Sequence, residues 1–146
     1  MERLAALGVA LAVAAAGSGT ARATTDTPSP AAVVRAWSNA LNANDNEAAG
    51  RLFAKNARVI QGPLDARIPT HALAVVFNNT LPCAGRIERM AVKGNQVVAT
   101  FVLGHRPKHT CDGPGQEAAA LFVVQKGKIV LWEQLALPPA PSGPTA

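Results

Sequence analysis

Between residues 30 and 80 the apolar side chains recur at helical spacing, and from Cys83 onward they alternate or cluster as strands do. Ser29 followed by Pro30 supplies a capping side chain and then a proline at the first helical position. The helix predicted from there runs to about Asn42, with Val33, Trp37, Ala40 and Leu41 on one stripe. Asn44 with Glu47 three residues later fits a loose capping pattern for a second helix, ending near Asn56, that turns Ala48, Ala49, Leu52 and Phe53 inward. A short strand, Ala57 to Gln61, runs into the breaker pair Gly62 and Pro63. Thr70 then caps a third helix carrying Leu73, Val76 and Phe77.

The strand region divides into two hairpins. Arg86–Val92 and Gln96–Arg106 flank the turn Gly94-Asn95, and Gln116–Gln125 and Lys128–Leu137 flank Lys126-Gly127. Helices first and strands afterwards predict an α+β domain with the N-terminal helices packed on one face of an antiparallel sheet. The turn of the second hairpin places Phe122, Val124, Ile129 and Leu131 on one face and Leu121, Val123, Val130 and Trp132 on the other. Both faces are apolar, whereas an antiparallel sheet open to water carries polar residues on its solvent side. A homodimer through the sheet is therefore the expected partner, since two-fold pairs are the commonest assemblies.

Before the first helix, Arg3 precedes an apolar run from Leu4 to Ala16, and small residues close the segment at Ala21, Arg22 and Ala23. That arrangement reads as a signal peptide over residues 1–23, followed by a flexible lead over 24–30, a domain over 31–137 and a disordered Pro-rich tail over 138–146. The run is too short to cross a bilayer comfortably, so no stable membrane span is expected, and the mature protein is expected to be secreted or otherwise extracytoplasmic. The chain of 146 residues suits one ordinary domain, and 49% hydrophobic with 12 Gly and 11 Pro excludes collagenous or wholly disordered classes.

Charge changes the picture little. The whole chain carries +5, and losing Glu2, Arg3 and Arg22 leaves +4 on 123 residues. Arg86, Arg89, Lys93, Arg106 and Lys108 lie close together without interleaved aromatics, which reads as a solvated sheet edge and predicts no nucleic-acid partner. Cys83 and Cys111, an even pair in an exported chain, predict one disulfide. In the register set by Gly94-Asn95, Cys83 faces Arg106, and the Pro107 loop returns Cys111 beside it. The competing arrangement, a zinc site from Cys83, His105, His109 and Cys111, has irregular ligand spacing, and no metal is expected.

The stretch Ala36-Trp37-Ser38-Asn39-Ala40-Leu41, then Asn44-Asp45, Ala48-Ala49 and Leu52-Phe53-Ala54 on to Val59-Ile60, resembles the opening of nuclear transport factor 2-like domains. Gly127 to Val130 and Trp132 resemble that superfamily's closing strand. The resemblance covers residues 31–137 and implies the cone-shaped fold of SnoaL-like cyclases and ketosteroid isomerases, in which a curved sheet and helices enclose a pocket. It specifies fold far better than function. In the isomerases a general-base Asp follows the short strand, where this chain offers Gln61 and Gly62, and their oxyanion hole uses a Tyr that this chain wholly lacks. Ala118 to Ala120 stand where a second acid would be expected.

The reading that follows is a non-enzymatic module binding a small apolar ligand or a protein partner, with no cofactor. Its pocket candidates are Trp37, Phe77 and Phe101, with Gln61 as a polar handle. The alternative is a SnoaL-like isomerase, cyclase or hydrolase using His71 at a helix start or Glu133 in a strand, both within a ligand pocket.

Overall fold

Ser29 closes the first turn of α1 (Pro30–Asn42) by accepting from the Ala32 N–H at 3.2 Å, and Pro30 occupies the position that needs no donor. The computed structural model describes residues 17–19, 21 and 26–137. The signal-peptide reading of 1–23 falls almost wholly outside the described residues, and the tail reading of 138–146 wholly so. Val33, Val34, Trp37 and Leu41 form the buried stripe of α1. The second helix, α2 (Asn46–Arg51), is capped by Asp45, which accepts from the Ala48 N–H, and not by Asn44. It also stops five residues before the predicted end. Phe53 already begins β1 (Phe53–Gln61), and Asn56 has a left-handed φ of 60° that no helix interior tolerates.

Gly62, with φ of 54°, turns the chain into β2 (Leu64–Ile68), a strand the sequence pattern does not predict. Thr70 caps α3 (His71–Thr80) by accepting from the Leu73 N–H. Of the three apolar residues expected to mark its inner face only Phe77 is buried; Leu73 and Val76 face solvent, and Ala74 and Asn78 complete the buried stripe. β3 (Ala84–Lys93), β4 (Gln96–Gly104), β5 (Glu117–Gln125) and β6 (Lys128–Leu135) follow as two hairpins.

The strands form one sheet in the order β2-β1-β6-β5-β4-β3. The sheet is mixed where an antiparallel one was expected, because β1 runs parallel to β6. No tight turn joins those two strands, so nothing forces them antiparallel. Three register shifts bend the sheet: in β1 between Phe53 and Arg58, in β3 between Ile87 and Arg89, and in the β5–β6 pairing after Val123.

Two of these shifts correct the predicted facing. The bulge in β3 pairs Ala84 with Gly104, so Cys83 does not face Arg106 in the ladder. The shift in the β5–β6 pairing sets Trp132 opposite Phe122 and Leu131 opposite Val123, exchanging the faces assigned to Leu131 and Trp132. The inner face, against the helices, thus holds Val97, Ala99, Phe122, Val124, Ile129 and Trp132, all buried. On the outer face Val98, Leu121, Val123 and Leu131 are half-buried. Arg58 and Asp65 pair there at 2.6 Å across β1 and β2, which raises the Arg58 pKa and lowers that of Asp65 through their hydrogen bonds.

Arg106 is 3% exposed, and so is not on a solvated sheet edge. Its Nη1 donates to the carbonyls of Asn78 and Leu81 at 2.8 and 3.0 Å, and its Nη2 to Oδ1 of Asn44 and Asn46 at 2.7 and 2.6 Å. Asn44 presents its side chain from a left-handed backbone, φ 55°, which asparagine tolerates better than most residues. No carboxylate belongs to this group of contacts, and desolvation lowers the Arg106 pKa. The compensating negative charge is partial: the end of α3 exposes carbonyls that carry the negative pole of the helix dipole. His109 Nε2 meets a further one, Asn79 O, at 2.9 Å, and the Thr80 hydroxyl donates to Phe77 O.

Cys83 and Cys111 form the expected disulfide, closing a separation of 28 residues between the end of α3 and the β4–β5 connection. The alternative zinc set does not assemble. Among the described residues the two cysteines cluster with Asp112, and neither His105 nor His109 joins them.

Two consequences are measurable by urea denaturation. Arg106→Leu leaves two amide oxygens and two carbonyls without their donor and is expected to cost about 3 kcal/mol, with Arg106→Lys recovering only part because one ammonium cannot span both pairs. An unchanged midpoint for Arg106→Leu would refute the anchoring role. Replacing both cysteines by serine should remove about 3 to 4 kcal/mol, the loop entropy that the bridge takes from the unfolded chain.

Candidate functional site

A cavity of about 180 Å³ opens between α1 and the inner face of the sheet. It exists because small side chains stand where the curved sheet would otherwise fill the cone: Ala118 and Ala120 on β5, and Gly85 on β3. A Cβ on Gly85 would lie 3.0 Å from Cβ of Phe101, so glycine there lets β3 and the phenyl ring approach closely. The α1 helix is fastened at this point, since Ser38 Oγ and Asn42 Nδ2 both donate to Gly85 O while Gly85 N donates to Asn42 Oδ1.

Trp37 is the central wall of the cavity. Its indole Nε1 donates to Asn78 Oδ1 at 2.7 Å, and the Asn78 amide donates in turn to Ala74 O, so the ring is held by a fully buried asparagine. Phe122, Phe101 and Trp132 surround it with ring centroids at 5.2, 6.1 and 6.3 Å, the two phenylalanines edge-on. Trp132 also lines the cavity, yet its indole Nε1 is buried within the wall and has no acceptor. Gln61 and Gln134 bring primary amides to the same rim, one residue beyond the Ile60–Glu133 pair on adjacent parallel strands.

Of the residues expected to line a pocket, Trp37, Gln61 and Phe101 do so together. The other three lie elsewhere. Phe77 is packed into the core between Phe53 and Trp132, at ring-centroid distances of 5.8 and 5.2 Å. Glu133 points to the outer face, because strand alternation sends it opposite to Trp132 and pairs it with Leu121. His71 lies at a separate crevice with Phe53, Lys55 and Ala74, its Nε2 2.8 Å from Glu47 Oε2.

The sequence pattern misses Trp132, Gln134 and Asp112 as lining residues. The first two were hidden by the register shift in the β5–β6 pairing, and Asp112 by its place in an irregular loop. Among the described residues Asp112 is the one ionisable side chain in the lining, which includes no Lys, Arg or His. The cavity thus offers an apolar body, two amides, a serine and a single carboxylate, and no acid–base pair.

Residues 34–132 match the family model described as a SnoaL-like domain. No curated protein matches the chain. Among solved structures, a nuclear transport factor 2-like protein of unknown function from Cytophaga hutchinsonii is similar at TM-score 0.61 and 15% identity, over 76% of this chain and 92% of that one. A Catenulispora acidiphila protein with a ketosteroid isomerase-like fold, solved in complex with trimethylamine, gives TM-score 0.59 and 17% identity over 71% and 84%. A Sinorhizobium meliloti protein provisionally described as a polyketide cyclase gives 0.57 and 18% over 70% and 93%.

Trp37→Phe tests the wall. Losing the indole N–H leaves the buried Asn78 oxygen unsatisfied and opens a small void, for an expected loss of about 2 to 3 kcal/mol in urea denaturation. A change below about 0.5 kcal/mol would show that the Trp37–Asn78 bond does not hold the ring.

Proposed function

Because the chain belongs to the SnoaL-like domain family, we propose that it is an exported, non-enzymatic binding module whose cone cavity takes a small, largely apolar ligand. The observation that carries this reading is the composition of the cavity wall, three aromatic rings with amides at the rim; the family resemblance supports it, since it implies Gln61 and Gly62 where the isomerases have a proton-abstracting Asp. An amide can orient a ligand but cannot take its proton. The trimethylamine complex of the Catenulispora relative supports the view that this fold holds small molecules.

Export rests on the signal-like residues 1–23, and the Cys83–Cys111 disulfide is compatible with an oxidising compartment. We further propose that two copies close over the outer face of the sheet. Val98, Leu121, Val123 and Leu131 form an apolar centre there, rimmed by Arg58, Arg89, Glu117 and Glu133, a mixed-sign border that can pair with itself about a two-fold axis.

The full-length chain, secreted from an oxidising host, is expected to lose residues 1–23 and to have the native mass of a dimer. A panel of small apolar compounds should contain one that raises the melting temperature in a concentration-dependent way, by the equivalent of about 2.7 kcal/mol at a hundredfold excess over its dissociation constant. A panel without any concentration-dependent shift overturns the binding reading, and a monomer at micromolar concentration overturns the dimer.

A further inference from the structure

We propose that the ligand of the cone cavity is cationic: a small ammonium or amine group on an apolar body the size of about one ring. This rests on the cavity being the ligand site and names the chemistry that site selects. The volume of about 180 Å³ limits the body, since an apolar cavity of roughly 150 Å³ accommodates a benzene ring.

The charge comes from the lining. Asp112 contributes the one ionisable side chain among the described residues that line the cavity, and no Lys, Arg or His accompanies it. The carboxylate belongs to none of the salt bridges among the described residues. Its Oδ1 lies 3.4 Å from Cys83 Sγ, but that sulfur is bonded to Cys111 and has no hydrogen to donate. The disulfide also ties the loop bearing Asp112 to the start of β3, so the carboxylate is held at the rim by a covalent strap. Trp37, Phe101 and Trp132 line the same cavity, and aromatic π systems attract a cation and gain nothing from an anion.

An anionic ligand would meet an unneutralised carboxylate, and a neutral one would cover that carboxylate without compensating it. The whole chain is basic, at +5, so diffuse attraction to the protein favours anions. A preference for a cation can therefore come only from the cavity.

Phenyltrimethylammonium, its neutral isostere tert-butylbenzene, and benzoate separate the three classes at nearly constant body size. Titrated into the secreted, disulfide-bonded protein and followed by tryptophan fluorescence and ligand NMR, phenyltrimethylammonium should bind at least tenfold more tightly than tert-butylbenzene, and benzoate not at all. Asp112→Asn should abolish that difference, weakening phenyltrimethylammonium and easing tert-butylbenzene, and Asp112→Glu should restore part of it. The residue is exposed, so both variants are expected to fold, with the melting temperature as the check. Equal or tighter binding of the neutral or anionic compound overturns the cationic assignment and leaves the cavity as a ligand site. A cation preference that survives Asp112→Asn overturns the role of Asp112, and failure of all three compounds overturns both the assignment and the cavity reading.

Discussion

Three parts of the chain that are far apart in sequence meet on one guanidinium. Arg106, in the β4–β5 connection, bonds the α1–α2 turn through Asn44 and Asn46 and the end of α3 through Asn78 and Leu81. Burying a charge with no carboxylate partner is costly, and it is tolerable here because four oxygens converge on it and two of them belong to the negative end of a helix. The arrangement fixes where α3 ends, and so fixes where Cys83 begins the path into β3. Asn78 stands at the junction, giving its carbonyl to Arg106 and its side chain to Trp37. The ring that walls the cavity is thereby tied to the residue that Arg106 anchors.

The second constraint is curvature. A flat sheet packs poorly against helices, and curvature is introduced by bulges. The register shifts in β1, β3 and the β5–β6 pairing bend the strands, and alanine and glycine at Ala118, Ala120 and Gly85 leave the wide end of the cone unfilled. The same shifts sort the apolar residues between the two faces. Trp132 turns inward to join Trp37 and Phe77, while Leu131 turns outward to join Leu121 and Val123. A single extra residue in one strand thus decides both what lines the pocket and what the outer face presents.

The covalent and electrostatic devices at the rim act together. The disulfide holds the loop of Asp112 against the start of β3, and Asn42 and Ser38 hold α1 against Gly85 one step further on. The disulfide and the α1–β3 hydrogen bonds thus brace the cavity lining at Asp112 and at Gly85. Rigid placement of a few polar groups around an apolar void is what gives a small cavity its selectivity.

Much of this was legible from the chain alone, because it is encoded by neighbours in sequence. Caps at Ser29 and Thr70, the stripe of Val33, Trp37 and Leu41 and the turns at Gly94-Asn95 and Lys126-Gly127 follow from local spacing and residue chemistry, the Cys83–Cys111 pairing follows from an even cysteine count in an exported chain, and the fold was marked by a family resemblance. What the tertiary structure alone decided depends on partners distant in sequence. Bulges shift register by one residue, and a one-residue shift sends a side chain to the opposite face, so Trp132 and Leu131 could not be assigned from alternation. Arg106 reads as one more surface base until Asn44, Asn46 and the end of α3 are brought around it. The parallel pairing of β1 with β6, the cavity, and the place of Asp112 at its rim arise only when both ends of the domain close on each other.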